Sequence, residues 1–373
     1  MAYWMFKPLS GFSQSLEWLT DVLRSKTSEQ RIALRSYPRI SFGFRHKLNR
    51  LNYQKANSVL MTNILCQIPD WSMRFNVSVS SGANVVVSIG SNHIFSSGNS
   101  VVLWINDNDF EVVTVVSTTA TTITLDSVAV SGTYILMMVL EAYVSGGLSS
   151  SIDSDQYADV SLEAHVNGTI GYGSYTPSTY LSTPIFPFQA IIDGSLPEKV
   201  FWPDESIDND YGLVKRFNLY NKADSNISIQ VLIDDSNVLN LLRWFQLMIG
   251  KLNVFYFSSK HNDFEITKSE LSSSNNITVF GTFQYLDVSN IQITFPDGSI
   301  STYAITSKAQ GPLTNNVPTT VITFGSTLGK ALNDAAKISK FYLLRHDTDR
   351  IELIHGSKDS NLISVSIPCK VLQ

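Results

Sequence analysis

Most of this chain alternates apolar and polar side chains with a period of two, and three stretches switch to the helical period. Residues 15–24 place Leu16, Leu19 and Leu23 three or four positions apart, with Trp18 and Val22 beside them, which predicts a short amphipathic helix. Residues 52–67 carry Ala56, Val59, Leu60, Ile64 and Leu65 on one stripe. That pattern predicts a helix of about four turns, ended with the help of Pro69. In 236–249, Val238, Leu241, Leu242, Phe245 and Ile249 share a face, with Ser236 placed to cap the start and Gly250 the end.

Strands are expected between these helices. Residues 31–35 and 39–45 read as strands, the second with Ile40, Phe42 and Phe44 on one side, and Trp71, Met73 and Phe75 alternate in the same way. From 77 the texture is short β runs at 85–89, 101–105, 111–116, 121–125 and 135–140, with hairpin chemistry at Asn106-Asp-Asn-Asp109. Such spacing predicts a small inserted barrel or sandwich. A strand at 159–166 closes this half. Gly171, Gly173, Pro177, Pro184, Pro187, Pro197 and Pro203 then interrupt any regular element across 169–211.

The order of elements returns after that linker. Strands are predicted at 213–219 and 227–233, then the helix at 236–249 and a strand at 254–257. A second β-rich insert comes next, with runs at 277–280, 291–295, 299–305 and 321–324 and a Pro296-Asp297-Gly298 turn; strands at 341–344, 350–354 and 362–371 close the half. Leu60 and Leu242 occupy matching points, as do Phe75 and Phe257, and Asp153-Ser-Asp155 and Asp347-Thr-Asp349 precede the closing strands. The fold class expected is therefore mainly β with a few helices (α+β), as two tandem β-sandwich modules. Each has one flanking helix and a small inserted β-barrel. The divisions are an N-terminal arm over 1–30, a first module over 31–168 with its insert at about 77–140, and the linker over 169–211. The second module covers 212–373, with its insert at about 266–340. Two unrelated β-rich domains are the competing reading.

Length agrees with this division, since 373 residues exceed the roughly 250–300 at which single cores stop growing. A net charge of −5 with 16% charged residues offers neither the basic surface expected of a nucleic-acid binder nor a polybasic pull toward membranes. No apolar run approaches the ~18 residues of a membrane-spanning helix, and the opening Met1-Ala-Tyr-Trp-Met-Phe-Lys-Pro lacks the form of a secretory signal. Cys66 and Cys369 read as small core hydrophobes, which fits synthesis in a reducing cytoplasm.

Trp18-Leu-Thr-Asp-Val-Leu23, Glu29-Gln-Arg-Ile-Ala-Leu-Arg35 and Pro38-Arg39 resemble the opening of a family of bacteriophage tail proteins encoded beside the tape-measure protein. Leu241-Leu-Arg-Trp-Phe-Gln-Leu-Met-Ile-Gly250, Phe255-Tyr-Phe257, the acidic turn at Asp263 and Arg345-His-Asp-Thr-Asp-Arg-Ile-Glu-Leu353 extend the resemblance along the chain. Lys26-Thr-Ser28 stands where the family often has a glycine, and the inserts keep little of its pattern. The resemblance implies a tail-tube-like module and a distal-tail or baseplate-hub ring in the virion's tail tip. It also implies as partners further copies of the chain, the tail-tube protein, hub or central-fibre proteins and the tape-measure protein. Three chains would supply six modules; six chains with one lumen module each is the rival.

Glu29, Gln30, Arg31, Arg35 and Arg39 offer matched donors and acceptors for an inter-subunit or inter-domain clamp, the alternative being a solvated charged face. Phe186, Phe188, Phe201 and Trp202 are candidates for docking a Pro-rich strap onto neighbouring modules. His46, His93, His165, His261, His346 and His355 show no zinc spacing, and Asp263, Asp347 and Asp349 near two of them form no recognisable catalytic set. The acidic turns at 106–109, Asp153/Asp155 and Asp208/Asp210 lack a calcium loop's distal glutamate and read as Asx turns. No cofactor, metal or enzymatic role is expected. A receptor- or glycan-binding tail protein is the alternative, with Trp104, Tyr172, Tyr175 and Tyr180 as stacking candidates; a cell-wall hydrolase ranks below it.

Overall fold

The computed structural model describes residues 2–9, 11–24, 29–152, 156–191, 198–201, 204–207, 215–218, 224–282, 288–333, 336–356 and 362–372. The first half begins with β1 (Ala2–Tyr3), β2 (Phe12–Glu17) and a hairpin of β3 (Thr20–Arg24) and β4 (Glu29–Ala33). β5 (Arg39–Asn49) runs into α1 (Arg50–Thr62), and β6 (Leu65–Pro69) returns. Next come β7 (Phe75–Val79), β8 (Gly82–Ser88), β9 (Ser100–Asn106), β10 (Asp109–Thr118) and β11 (Thr122–Val128), then β12 (Gly132–Ile152) and β13 (Tyr157–Val166). A short pair, β14 (Thr179–Tyr180) and β15 (Thr183–Pro184), lies in the connecting stretch.

The second half has β16 (Glu198–Phe201), a hairpin of β17 (Asp204–Ile207) and β18 (Lys215–Asn218), and β19 (Asp224–Asp234). A single 3-10 turn leads into α2 (Val238–Met248), and β20 (Val254–Ser258) returns. β21 (Asn276–Phe280), β22 (Asn290–Thr294), β23 (Ile300–Gln310) and β24 (Thr319–Phe324) precede β25 (Lys337–His346), β26 (Arg350–His355) and β27 (Leu362–Leu372). The fold is mainly β, with two α-helices among the described residues.

One sheet runs through both halves in the order β1–β6–β12–β13–β5–β2–β26–β27–β19–β16, antiparallel except for β1–β6. β2 is the strand that joins them, pairing with β5 on one edge and with β26 on the other, from Phe12↔His355 to Glu17↔Arg350. Ile40, Phe42, Phe44, His46 and Leu48 of β5 and Ile227, Ile229, Val231 and Ile233 of β19 face one core, as period-two alternation requires. That core takes in residues of the first insert, including Val101, Leu103, Ile123 and Leu125, whereas Ile277, Val279, Ile291, Ile293, Ile322 and Ile338 form a separate core in the second.

Several pairings occur in both halves. β5 pairs with β13 from Asn49↔Tyr157 to Ser41↔His165, and β19 with β27 from Asp234↔Leu362 to Asn226↔Lys370. The last residue of each long strand caps the helical segment after it: Asn49 Oδ1 accepts from Asn52 N at 2.8 Å, and Asp234 Oδ1 from Asn237 N at 3.1 Å. β2 lies on β5 with Glu17↔Arg39, and β16 lies on β19 with Phe201↔Asp224. Beyond each, Leu9 N donates to Arg45 O at 2.8 Å and Ile191 N to Gln230 O at 2.7 Å. Each strand also leads into a hairpin, with Val22↔Arg31 in the first and Ser206↔Arg216 in the second.

The structure corrects several sequence expectations. Residues 15–24 are not helical: Phe12, Gln14, Leu16 and Trp18 point inward at every second position, while Leu19 and Leu23 are 42% and 54% exposed. A short apolar run fits either period, and the two free edges of β5 and β26 decide for a strand. The helix at 52–67 ends at Thr62, because the Asn63 side chain donates to Val59 O at 3.2 Å and Leu65–Gln67 join β12. Trp71 and Met73 lie in a turn, and the strand starts at Phe75. Asp234 rather than Ser236 caps the second helical segment, the Ser236 hydroxyl itself donating to Asp234 at 2.6 Å. Ile249 rather than Gly250 caps α2, in the left-handed region at φ 51° with its N–H on Phe245 O, and Gly250 follows at φ +55°, where a Cβ would collide with Asp349 and Trp18.

Candidate assembly surfaces

Away from the core, the long sheet presents a broad polar face. Alternation sends Ser13, Arg45, Lys47, Ser161, Glu163, Gln230, Glu352 and Ser366 outward while their sequence neighbours are buried. Two depressions of about 620 and 580 Å³ lie along it. That is the size range of ligand pockets. Yet the charged groups lining them, Arg45, Glu163, Arg350 and Glu352, are all exposed, so no desolvated side chain stands ready to hold or activate a ligand.

The predicted clamp residues divide around the place where β2 meets β26. Glu29 accepts from Arg345 Nη2 at 2.9 Å and also binds Arg31, whose Nη1 donates to Lys251 O at 3.0 Å. The Arg31 and Arg345 side chains are 6% and 10% exposed, so this is a largely desolvated link between the N-terminal hairpin and the second half. Asp349 completes it, accepting from Thr20 N at 2.9 Å, Thr20 Oγ1 at 2.8 Å and Lys251 N at 3.0 Å. Gln30 and Arg39 are exposed and join no part of it. Among the described residues Arg35 makes only a long contact of 3.5 Å to Glu17 O. Trp202 lies outside the described residues, as do Asp153, Asp155, Asp208 and Asp210. Thr20, Arg345 and Asp349 carry no role in the sequence reading, although all three stand inside the strings that carry the family resemblance.

A buried polar chain supports the same junction. Gln14 donates to the Tyr172 hydroxyl at 3.4 Å, and its Oε1 lies 3.2 Å from His355 Nε2. Arg243 reaches from α2 to Tyr172 O at 2.7 Å and to Asn92 Oδ1 at 2.8 Å, and Arg74 to Asp235 at 2.6 Å. These bonds tie the connecting stretch and the first insert to α2. Phe186 packs edge-on against Trp244 of α2 and against Phe188 of its own stretch.

The hairpin of β3 and β4 turns one face to this clamp and the other to solvent. Leu19, Leu23, Ile32 and Leu34 are all exposed there, with Asp21 and Gln30 among them. Four apolar side chains on one exposed ribbon make a candidate interaction surface.

Burial is the main cause of shift for three histidines, one aspartate and both thiols. Burial holds His46 and His346 down to about 4 and His355 to about 3, and lifts Asp70 to about 6 against its bonds from Ser72. Burial also raises the free thiols of Cys66, to about 11, and Cys369. Asp263 accepts from Lys340 N at 2.6 Å and Asp107 from Lys7 N at 2.9 Å, while Asn106 closes its own turn through Asn108 N at 3.0 Å. The Asp263 and Asp107 carboxylates each accept from a backbone N–H, and Asp263 also accepts from the Ser259 hydroxyl. Trp104 and Tyr172 are buried, and Tyr180 packs on Tyr256 and Phe341, so none of the three offers a free ring for stacking a sugar. No protein-family model matches the sequence, and no curated protein does.

Proposed function

We propose that the chain is a structural ring protein of a bacteriophage tail tip, joining the tail tube to the baseplate hub or central fibre and continuing the lumen. The observation that carries this reading is the single sheet that passes through both halves and is apolar on one side and polar on the other. The recurring pairings support two tandem tube-like modules, each a sandwich with one helix and a β-rich insert. Arg45, Lys47 and Arg350 alternate on the polar face with Asp159, Glu163 and Glu352. Such mixed charge suits a passage through which DNA moves without being gripped, since phosphate binding needs a concentrated cationic surface.

On this reading the role is mechanical and non-catalytic, and three chains supply six modules around a tube of six-fold symmetry. Heterologous interfaces close into such rings when their rotation completes a turn. Native mass spectrometry of the purified protein, with symmetry analysis of negatively stained particles, tests it. Three copies are expected. Six copies would move the second half to the periphery, and a monomer at every concentration would overturn the ring.

A further inference from the structure

The internal β2–β26 junction is a template for the contact between copies, and we propose that β16 of one chain pairs antiparallel with the Leu148–Ile152 edge of β12 in the next. The proposal rests on the ring reading and names the edges that close the ring.

β16 occupies on β19 the position that β2 occupies on β5, since Phe201↔Asp224 matches Glu17↔Arg39 and both strands lead into a hairpin. β2 has a second partner, β26. Among the described residues β16 has none on its outer edge. The strand equivalent to β26 in the first half is the last part of β12: Leu353 pairs with Val365 of β27, and Ser150 with Val160 of β13, at matching points of their ladders. The far edge of β12 is paired with β6 only from Val139 to Tyr143, which leaves Leu148–Ile152 without a neighbour on that side among the described residues. The chain thus ends its sheet at one side with a strand of the β2 kind and carries at the other an edge of the β26 kind.

Exposure agrees with this. Leu16 and Ile351, opposite one another in the internal junction, are 0% and 1% exposed. Transferred to the outer edges, that pair becomes Val200 and Leu148. Val200 lies on the core-facing row beside buried Ser225 and yet is 63% exposed; Leu148 is half-buried at the margin of the main core, and Ile152 farther along the same edge is 71% exposed. These are apolar side chains on the core side of a sheet that has no further strand at either place among the described residues, and bare edges of this kind pair with another chain unless they are blocked. One element is not repeated. Asp349 receives Thr20 in the internal junction, whereas the corresponding turn of β12 is Gly146-Gly147, so the contact between copies lacks that carboxylate and is weaker than the one inside the chain.

Directly opposed residues of an antiparallel pair lie within disulfide reach. The test is the full chain carrying Val200→Cys with Leu148→Cys, oxidised mildly and run on non-reducing gels beside native mass measurement. Both native thiols are buried, which keeps the background low. Linked chains ending at a closed covalent trimer are expected. The control pair Val200→Cys with Ser149→Cys, whose side chains point to opposite faces, should link at least ten-fold less. A three-copy ring without the Val200–Leu148 link would overturn these edges while leaving the ring. A monomer would overturn both, and a linked but open-ended ladder would uphold the edges and overturn the closed ring. Val200→Asp should shift the native mass to single chains with an unchanged far-ultraviolet circular dichroism spectrum; a ring that persists in this variant would also count against the proposal.

Discussion

Single residues at the internal junction differ sharply in what they hold. Glu29 lies between two arginines that are nearly desolvated, and its removal leaves both without that carboxylate; Glu29→Ala is expected to cost about 1–3 kcal/mol, below the figure for a fully buried pair because Glu29 is itself one-fifth exposed. Arg39→Ala, on an exposed side chain, should fall within about 0.5 kcal/mol of the parent. Urea unfolding monitored by tryptophan fluorescence separates the two. Three buried histidines set a pH dependence. His46, His346 and His355 titrate near 4, 4 and 3 in the folded chain, against 6.5 when unfolded. Between about pH 4 and 6.5 the unfolded state binds more of their protons, so the stability they contribute is complete above 6.5 and is lost as pH falls. Asp70 acts in the opposite sense, its carboxyl raised to about 6 from 3.8, and offsets one of the three. The net expectation is a loss of several kcal/mol on going from pH 7 to pH 4.5, since each unshared proton is worth about 1.4 kcal/mol per pH unit. A flat melting temperature across that range would contradict it.

At the scale of elements the two helices are unequal. α2 buries Val238, Leu239, Leu241, Leu242, Trp244, Phe245 and Met248 and is met by Tyr172 and Phe186 of the connecting stretch and Asn92 of the first insert, whereas α1 leaves Leu51 and Met61 exposed. Trp244→Ala should therefore cost about 3–5 kcal/mol, and Met61→Ala, at an 87% exposed position, close to nothing, as thermal melts of the two variants would show. Both helices, and nearly every strand of the inserts, were legible in the sequence because hydrophobic period and turn chemistry are local. β2 was not. Leu16, Leu19 and Leu23 satisfy a helical spacing, and what makes this segment a strand is a pair of edges contributed by residues 39–43 and 350–355. The clamp was half legible for the same reason: Glu29 and Arg31 announce themselves as a local charged pair, while Arg345 and Asp349 reach it from more than three hundred positions away.

For the whole molecule, the feature with the widest consequence is that β2 has one partner close by in sequence and one very far, Gln14 and His355 being 341 positions apart. Ribosomes emit the chain in order, at roughly 5–20 residues per second. The first half is thus outside for about 10–40 s before β26 emerges to cover it. Throughout that interval β2 presents a bare edge of the kind that β16 later offers, and the same nascent half already carries the edge of β12 that receives it. Neighbouring nascent chains on one messenger are consequently able to cross-pair before any of them is finished. In the proposed ring, late arrival of β26 makes the order of synthesis part of assembly, and the finished chain keeps, among the described residues, the open edges of β16 and of Leu148–Ile152 for its two neighbours.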